Sequence, residues 1–96
     1  MLVENSYSNG DTISIKISSG EELVARLEEE KDDKIILYKP MMLVHDQKGM
    51  ALAPYMFTVP VDAKFTLNLR NVICIVKTEK NMASKYIETT TGIKLG

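Results

Sequence analysis

DTISIKISSGEELVARL, residues 11–27, decides how the chain folds. Ile13, Ile15 and Ile17 alternate with Thr12, Ser14, Lys16 and Ser18, the period of two at which a strand sends successive side chains to opposite faces. Ser19-Gly20 turns the chain, and Leu23, Ala25 and Leu27 resume the alternation against Glu22, Val24, Arg26 and Glu28. The stretch is an antiparallel hairpin with one apolar face that something else must cover. That reading gives an architecture and names no reaction.

Outward from the hairpin, residues 1–10 are polar, end in Ser8-Asn9-Gly10 and read as an extended arm. The second strand, 21–30, ends at the charged turn Lys31-Asp32-Asp33. KIILYKPMMLV, 34–44, is a third strand, apolar enough to be buried on both faces, and Pro40 marks an edge or a bend because it cannot donate to a ladder. After the turn 46–49 a fourth strand covers 50–59, interrupted at Pro54; a short loop follows at 60–63. The fifth strand covers 64–77, with Phe65, Leu67 and Leu69 alternating before the apolar run 72–76, and Asn71 marks a bend or bulge where the facing changes.

The period then changes. Ala83, Tyr86, Ile87 and Thr90 fall at helical spacing, which predicts a helix over 80–92 with Asn81 as its cap and Gly92 as its stop. Thr89, Thr90 and Thr91 are weak helix formers, so packing must hold this helix in place. The expected fold is one mostly β domain over 1–96: a strongly bent five-stranded antiparallel sheet, or small open barrel, with one C-terminal helix.

Bulk properties narrow the function classes. A chain of 96 residues buries only about 60–65% of its unfolded surface, and association with copies of itself is a common remedy. No apolar run approaches the roughly 20 residues of a membrane-spanning helix. Met1-Leu2-Val3 runs straight into Glu4 without the basic and apolar regions of a secretory leader, which makes the cytoplasm the expected compartment. A net charge of −1 supplies no global field for nucleic acid, although a basic rim repeated around an oligomer would supply a local one. The single cysteine, Cys74, excludes an internal disulfide; within VICIV it reads as a small buried hydrophobe.

The fourth strand needs explaining. Met50, Leu52, Tyr55, Met56, Phe57 and Val59 make it apolar, and it is a candidate sheet edge. Unpaired, such an edge invites aggregation; a ring in which each edge pairs with the next subunit removes it, and a covering helix would do so too.

These residues resemble the Sm-like (LSm) family, in the manner of its divergent phage-type members. That family's first motif runs apolar-x-apolar-x-Leu-x-x-Gly-x-x-x-x-Gly-x-Leu. Here Ile13, Ile15 and Ile17 take the apolar sites, Gly20 the first glycine, Ala25 the second and Leu27 the leucine. The resemblance covers 11–77. It implies a bent five-stranded sheet that closes into rings, the fourth strand of one subunit pairing with the fifth of its neighbour. Met50, Leu52, Tyr55, Met56 and Phe57 would then meet Val72, Cys74 and Val76 of the next copy. It further implies cytoplasmic RNA binding, in a host cytoplasm for a phage protein. Where the family places Asp, Met and Asn to hold an RNA base, this chain has Lys31, Lys34 and Ile35, and the second motif's Arg-Gly is echoed by Arg70-Asn71.

Lys31, Lys34, Arg70 and Asn71 are therefore the candidate RNA contacts, acting on phosphates in place of base-reading side chains. Lys31 and Lys34 also fit as solvated turn lysines neutralised by Asp32 and Asp33, and Arg70 as a salt-bridged barrel arginine. Tyr38 and Tyr55 would suit base stacking, or packing within the sheet or at an interface. His45-Asp46 has no second histidine and no nucleophile beside it, so it reads as a surface turn. No phosphate cradle, catalytic constellation, cofactor motif or metal-ligand spacing is present. The expected function is a non-enzymatic homo-oligomeric ring that binds single-stranded RNA as a chaperone or scaffold. The alternative is a structural or protein-binding ring lacking the RNA site.

Overall fold

The computed structural model describes residues 7–92. Six strands and one helix follow one another as β1 Thr12–Ile17, β2 Glu22–Lys31, β3 Lys34–Asp46, β4 Gly49–Pro54, β5 Lys64–Asn68, β6 Val72–Lys77 and α1 Lys80–Thr91. Every pairing is antiparallel. The order is β4-β3-β2-β1-β6 with β5 also on β3, and among the described residues no ladder joins β5 to β6, so the bent sheet stays open.

The first hairpin forms as the alternation requires. Ile13 sits opposite Ala25 and Ile15 opposite Leu23, which stacks the apolar positions on one face. With Ile17, Leu27, Ile35 and Leu37 they make the core, flanked by half-buried Tyr7, Met42, Tyr55, Phe65, Leu67, Leu69, Val72 and Ile75. Ile15 is fully enclosed, and Ile15→Ala leaves a cavity that costs about 2–5 kcal/mol. A domain of this size holds roughly 5–14 kcal/mol in all. The urea midpoint should fall by about a seventh at the least and by far more at the upper end of that range.

The path differs from the sequence expectation in three places. The fourth strand stops at Pro54, whose missing N–H ends the ladder at the pair Met41–Pro54, so 55–59 is bends rather than strand. The fifth strand is two, giving six strands instead of five. A 3-10 turn, Leu69–Asn71, separates them, and the Asn68 side chain fixes it by accepting from the Arg70 backbone N–H at 2.9 Å. Asn71 does mark the bend. Third, Val24 lies on the outward register opposite Ser14 and Met41 and yet is buried.

β3 has two partners on one flank. Its residues 34–38 pair with β5 and its residues 41–46 with β4. The change falls at Lys39-Pro40, where Lys39 adopts φ 50° and the register with β2 slips by one. Pro40 is the bend, as its missing donor requires.

α1 is capped by Glu79, not Asn81: its carboxylate accepts from the backbone N–H of Asn81 and of Met82, both at 3.0 Å, and these bonds lower its pKa. Gly92, at φ 76°, closes the helix with its N–H on Glu88 O. Tyr86 is the one buried helix residue among those described. Its hydroxyl reaches Lys39 O at 2.7 Å and Tyr38 O at 3.0 Å, while Lys39 Nζ donates to Thr90 O at 3.0 Å.

Burial pushes the Tyr86 phenol from 10 to about 12. The folded state therefore favours the protonated phenol, and the unfolded chain releases that proton first as pH rises. The stabilisation is complete below pH 10 and is lost on approaching pH 12, by about 2–3 kcal/mol at the upper end. Urea midpoints measured across that window should fall, and Tyr86→Phe should flatten much of the slope.

Candidate nucleic-acid rim

Two turns far apart in sequence meet at one mouth of the sheet. The β2–β3 hairpin closes on the pair Lys31–Lys34, with Asp32 at φ 55°, a left-handed conformation that aspartate tolerates better than most residues. Lys34 pairs on its other side with Asn68. The 3-10 turn is then bonded to both flanks: Leu69 N–H donates to Asp33 O at 2.8 Å, and Ser18 N–H donates to Asn71 O at 2.7 Å. Lys31, Lys34, Asn68, Arg70 and Asn71 thus share one rim, and all are exposed.

The rim keeps its charge available. The ion pairs among the described residues are Arg26–Glu28, Lys64–Glu28 and Lys77–Asp11, and none involves Lys31, Lys34 or Arg70. Arg70 is therefore not the salt-bridged arginine that the sequence also allowed. Asp32 and Asp33 share the hairpin tip, so three cations and two carboxylates leave one net positive charge per subunit. Ile35, at the third of the family's base-holding positions, is fully buried in the core and presents nothing to a base.

The tyrosines are elsewhere. Tyr38 lies under two cations, with Arg26 4.7 Å and Lys39 Nζ 5.3 Å from its ring centroid. Tyr55 packs at 6.3 Å from Phe65 against the core. Both are packing residues. His45 is exposed near the end of β3, opposite Met50, and the described residues contain no group of three His, Cys, Asp or Glu side chains able to hold a metal ion.

The interface candidates fall on two borders of the sheet. On the β4 side Met50, Met56 and Phe57 are exposed, Phe57 by 80%, while Leu52 and Tyr55 are half-buried. On the β6 side Val76 and Cys74 are exposed and Val72 is half-buried against the core. Cys74 corrects the sequence reading: it pairs with Lys16 on the outward register of an edge strand, so it is not a buried hydrophobe. Val61, in the segment between β4 and β5, and Ile73, in β6, which sequence reasoning passed over, are 88% and 65% exposed. Of the large exposed hydrophobes among the described residues, Met50 lies in β4 and Ile73 and Val76 in β6, while Met56, Phe57 and Val61 lie in the segment that joins β4 to β5.

No known family model matches this chain, and no curated protein does. No helix among the described residues is long and apolar enough to cross a membrane.

Proposed function

We propose that this protein is an Sm-like, non-enzymatic subunit that assembles head to tail with its own copies into a ring and binds single-stranded RNA on the rim of Lys31, Lys34, Arg70 and Asn71. The observation that carries the reading is the bond from Leu69 N–H to Asp33 O, which joins two distant turns and gathers three cations that make no ion pair. Repeated around a ring, that rim becomes a continuous basic track. Lysine and arginine side chains meet phosphates, and the Asn71 amide adds hydrogen bonds to phosphate or sugar. With Ile35 buried and the hydroxyl of the nearby Tyr7 held by Glu30 at 2.8 Å, discrimination between bases is weak.

Fluorescence anisotropy with short oligo(U) and oligo(A) tests this. Both should bind with similar affinity, and binding should weaken steeply as salt is added. Absence of binding to either at low salt overturns the RNA role. Asp32 and Asp33 at the hairpin tip favour a second reading, a structural or protein-binding ring. An absorbance ratio at 260 and 280 nm typical of bare protein, on material purified at low salt, would support it.

A further inference from the structure

We infer that α1 is a strap that locks the kink in β3, so that helix and bulge open and close as one local unit. Two hydrogen-bonded ties cross between them in opposite directions. The Tyr86 hydroxyl of the helix bonds the bulge carbonyls Tyr38 O and Lys39 O, and the Lys39 ammonium of the bulge bonds Thr90 O near the end of the helix. Both ties converge on Lys39, a residue without glycine's freedom that nevertheless sits at φ 50°. A lysine holds that conformation only where its surroundings over-determine it. The helix needs the bulge in return. Its threonines are weak helix formers, and Thr90 folds its hydroxyl back onto Tyr86 O, so Tyr86 is its main anchor.

The kink matters beyond itself. Tyr55 N–H donates to Pro40 O at 3.2 Å, which pins the start of the exposed segment 55–63 to the residue beside Lys39. When the strap lets go, the bulge relaxes and Met56 and Phe57 lose their fixed starting point. The strap therefore governs how one sheet border is presented.

Native-state hydrogen exchange on the full chain tests the coupling. In Tyr86→Phe, the amides of Ala83 in α1 and Tyr55 at the bulge should exchange faster by a common factor of about ten. Those of Ile17 and Leu27, bonded to Glu21 O and Asp11 O within the first hairpin, should keep their rates. Acceleration of Ala83 alone, of all four amides together, or of none overturns the strap. If Tyr86→Phe does not fold, Lys39→Met cuts the second tie while keeping the aliphatic stem; the same two amides should accelerate together by a smaller factor, and a change at only one of them overturns the inference. Lys39→Gly supplies the sharpest control, because glycine adopts the left-handed conformation unaided. Adding Tyr86→Phe to Lys39→Gly should release Ala83 and leave Tyr55 slow. Release of both would show that backbone strain at Lys39 is not what the strap restrains.

Discussion

Replacing Lys31, Lys34 and Arg70 together by glutamine is expected to lower RNA affinity by about two orders of magnitude or more and to flatten the salt dependence of what remains. The three side chains are exposed, form no ion pair and lie on turns whose backbone bonds do not involve them, so their removal costs the fold little. Each subunit of a ring would lose its cationic contacts at once, and the loss multiplies along a strand that crosses several subunits. Single substitutions separate the roles. Arg70→Gln should cost more than Lys31→Gln, because a guanidinium engages phosphate with two parallel hydrogen bonds and a lysine acts as a point charge. Replacing Asp32 and Asp33 by asparagine works in the opposite sense: it removes two like-charged neighbours of the phosphates and should tighten binding. Unchanged anisotropy curves in the triple variant would place RNA elsewhere or nowhere.

The second large effect concerns assembly. Val76 in β6 and Phe57 just past the end of β4 are 56% and 80% exposed, so a charge at either place leaves the subunit's own core intact. In a head-to-tail ring each contact joins a β4 border to a β6 border, and every subunit uses both. Val76→Glu or Phe57→Glu should therefore disrupt every contact and reduce the mass found by light scattering to the 10.8 kDa of one chain. The two variants mixed give a sharper result. The Phe57→Glu subunit keeps a sound β6 border and the Val76→Glu subunit a sound β4 border, so the mixture should stop at a one-to-one dimer. Wild-type protein that is already a monomer refutes the ring outright, and a mixture that stays wholly monomeric refutes the pairing of these borders.

How far the sequence could be read depended on where polar residues interrupt apolar ones. In 12–17 the alternation of isoleucine with threonine, serine and lysine marks the two faces, and the hairpin and its register follow. In VICIV no polar residue marks a face, so the outward aim of Cys74 and Ile73 had no local signal, and in MALAPYMFTV the apolar residues on both sides of Pro54 carried the strand reading past the point where the ladder ends. Val24 misled for the opposite reason: its place on the polar register is legible, but nothing near it in the sequence signals that it is buried. Asn81 is the better cap by residue preference, and Glu79 wins because its longer side chain reaches two backbone N–H groups from two positions further out. The rim residues stood out singly as turn cations. Their meeting depends on β5 lying against β3, a contact between distant segments that only the family resemblance hinted at. Asn68, which fixes the turn between β5 and β6, was missed, although an asparagine two residues before a bend is the signature of a side chain bonding forward to the backbone.

The split of β3 between two partners has a consequence for how this molecule can change. Among the described residues, excepting Pro40 and Tyr86, every buried apolar side chain falls within 13–37, whereas those of 41–63 are partly covered or exposed. That excursion leaves from one point on β3 and returns beside it, since Tyr55 bonds Pro40 O and Lys64 pairs with Tyr38. It grows out from the core and touches it through Met42 and Tyr55. Insertion or grafting beyond those two contacts would alter the outgrowth's surface while the buried residues of 13–37 keep their packing.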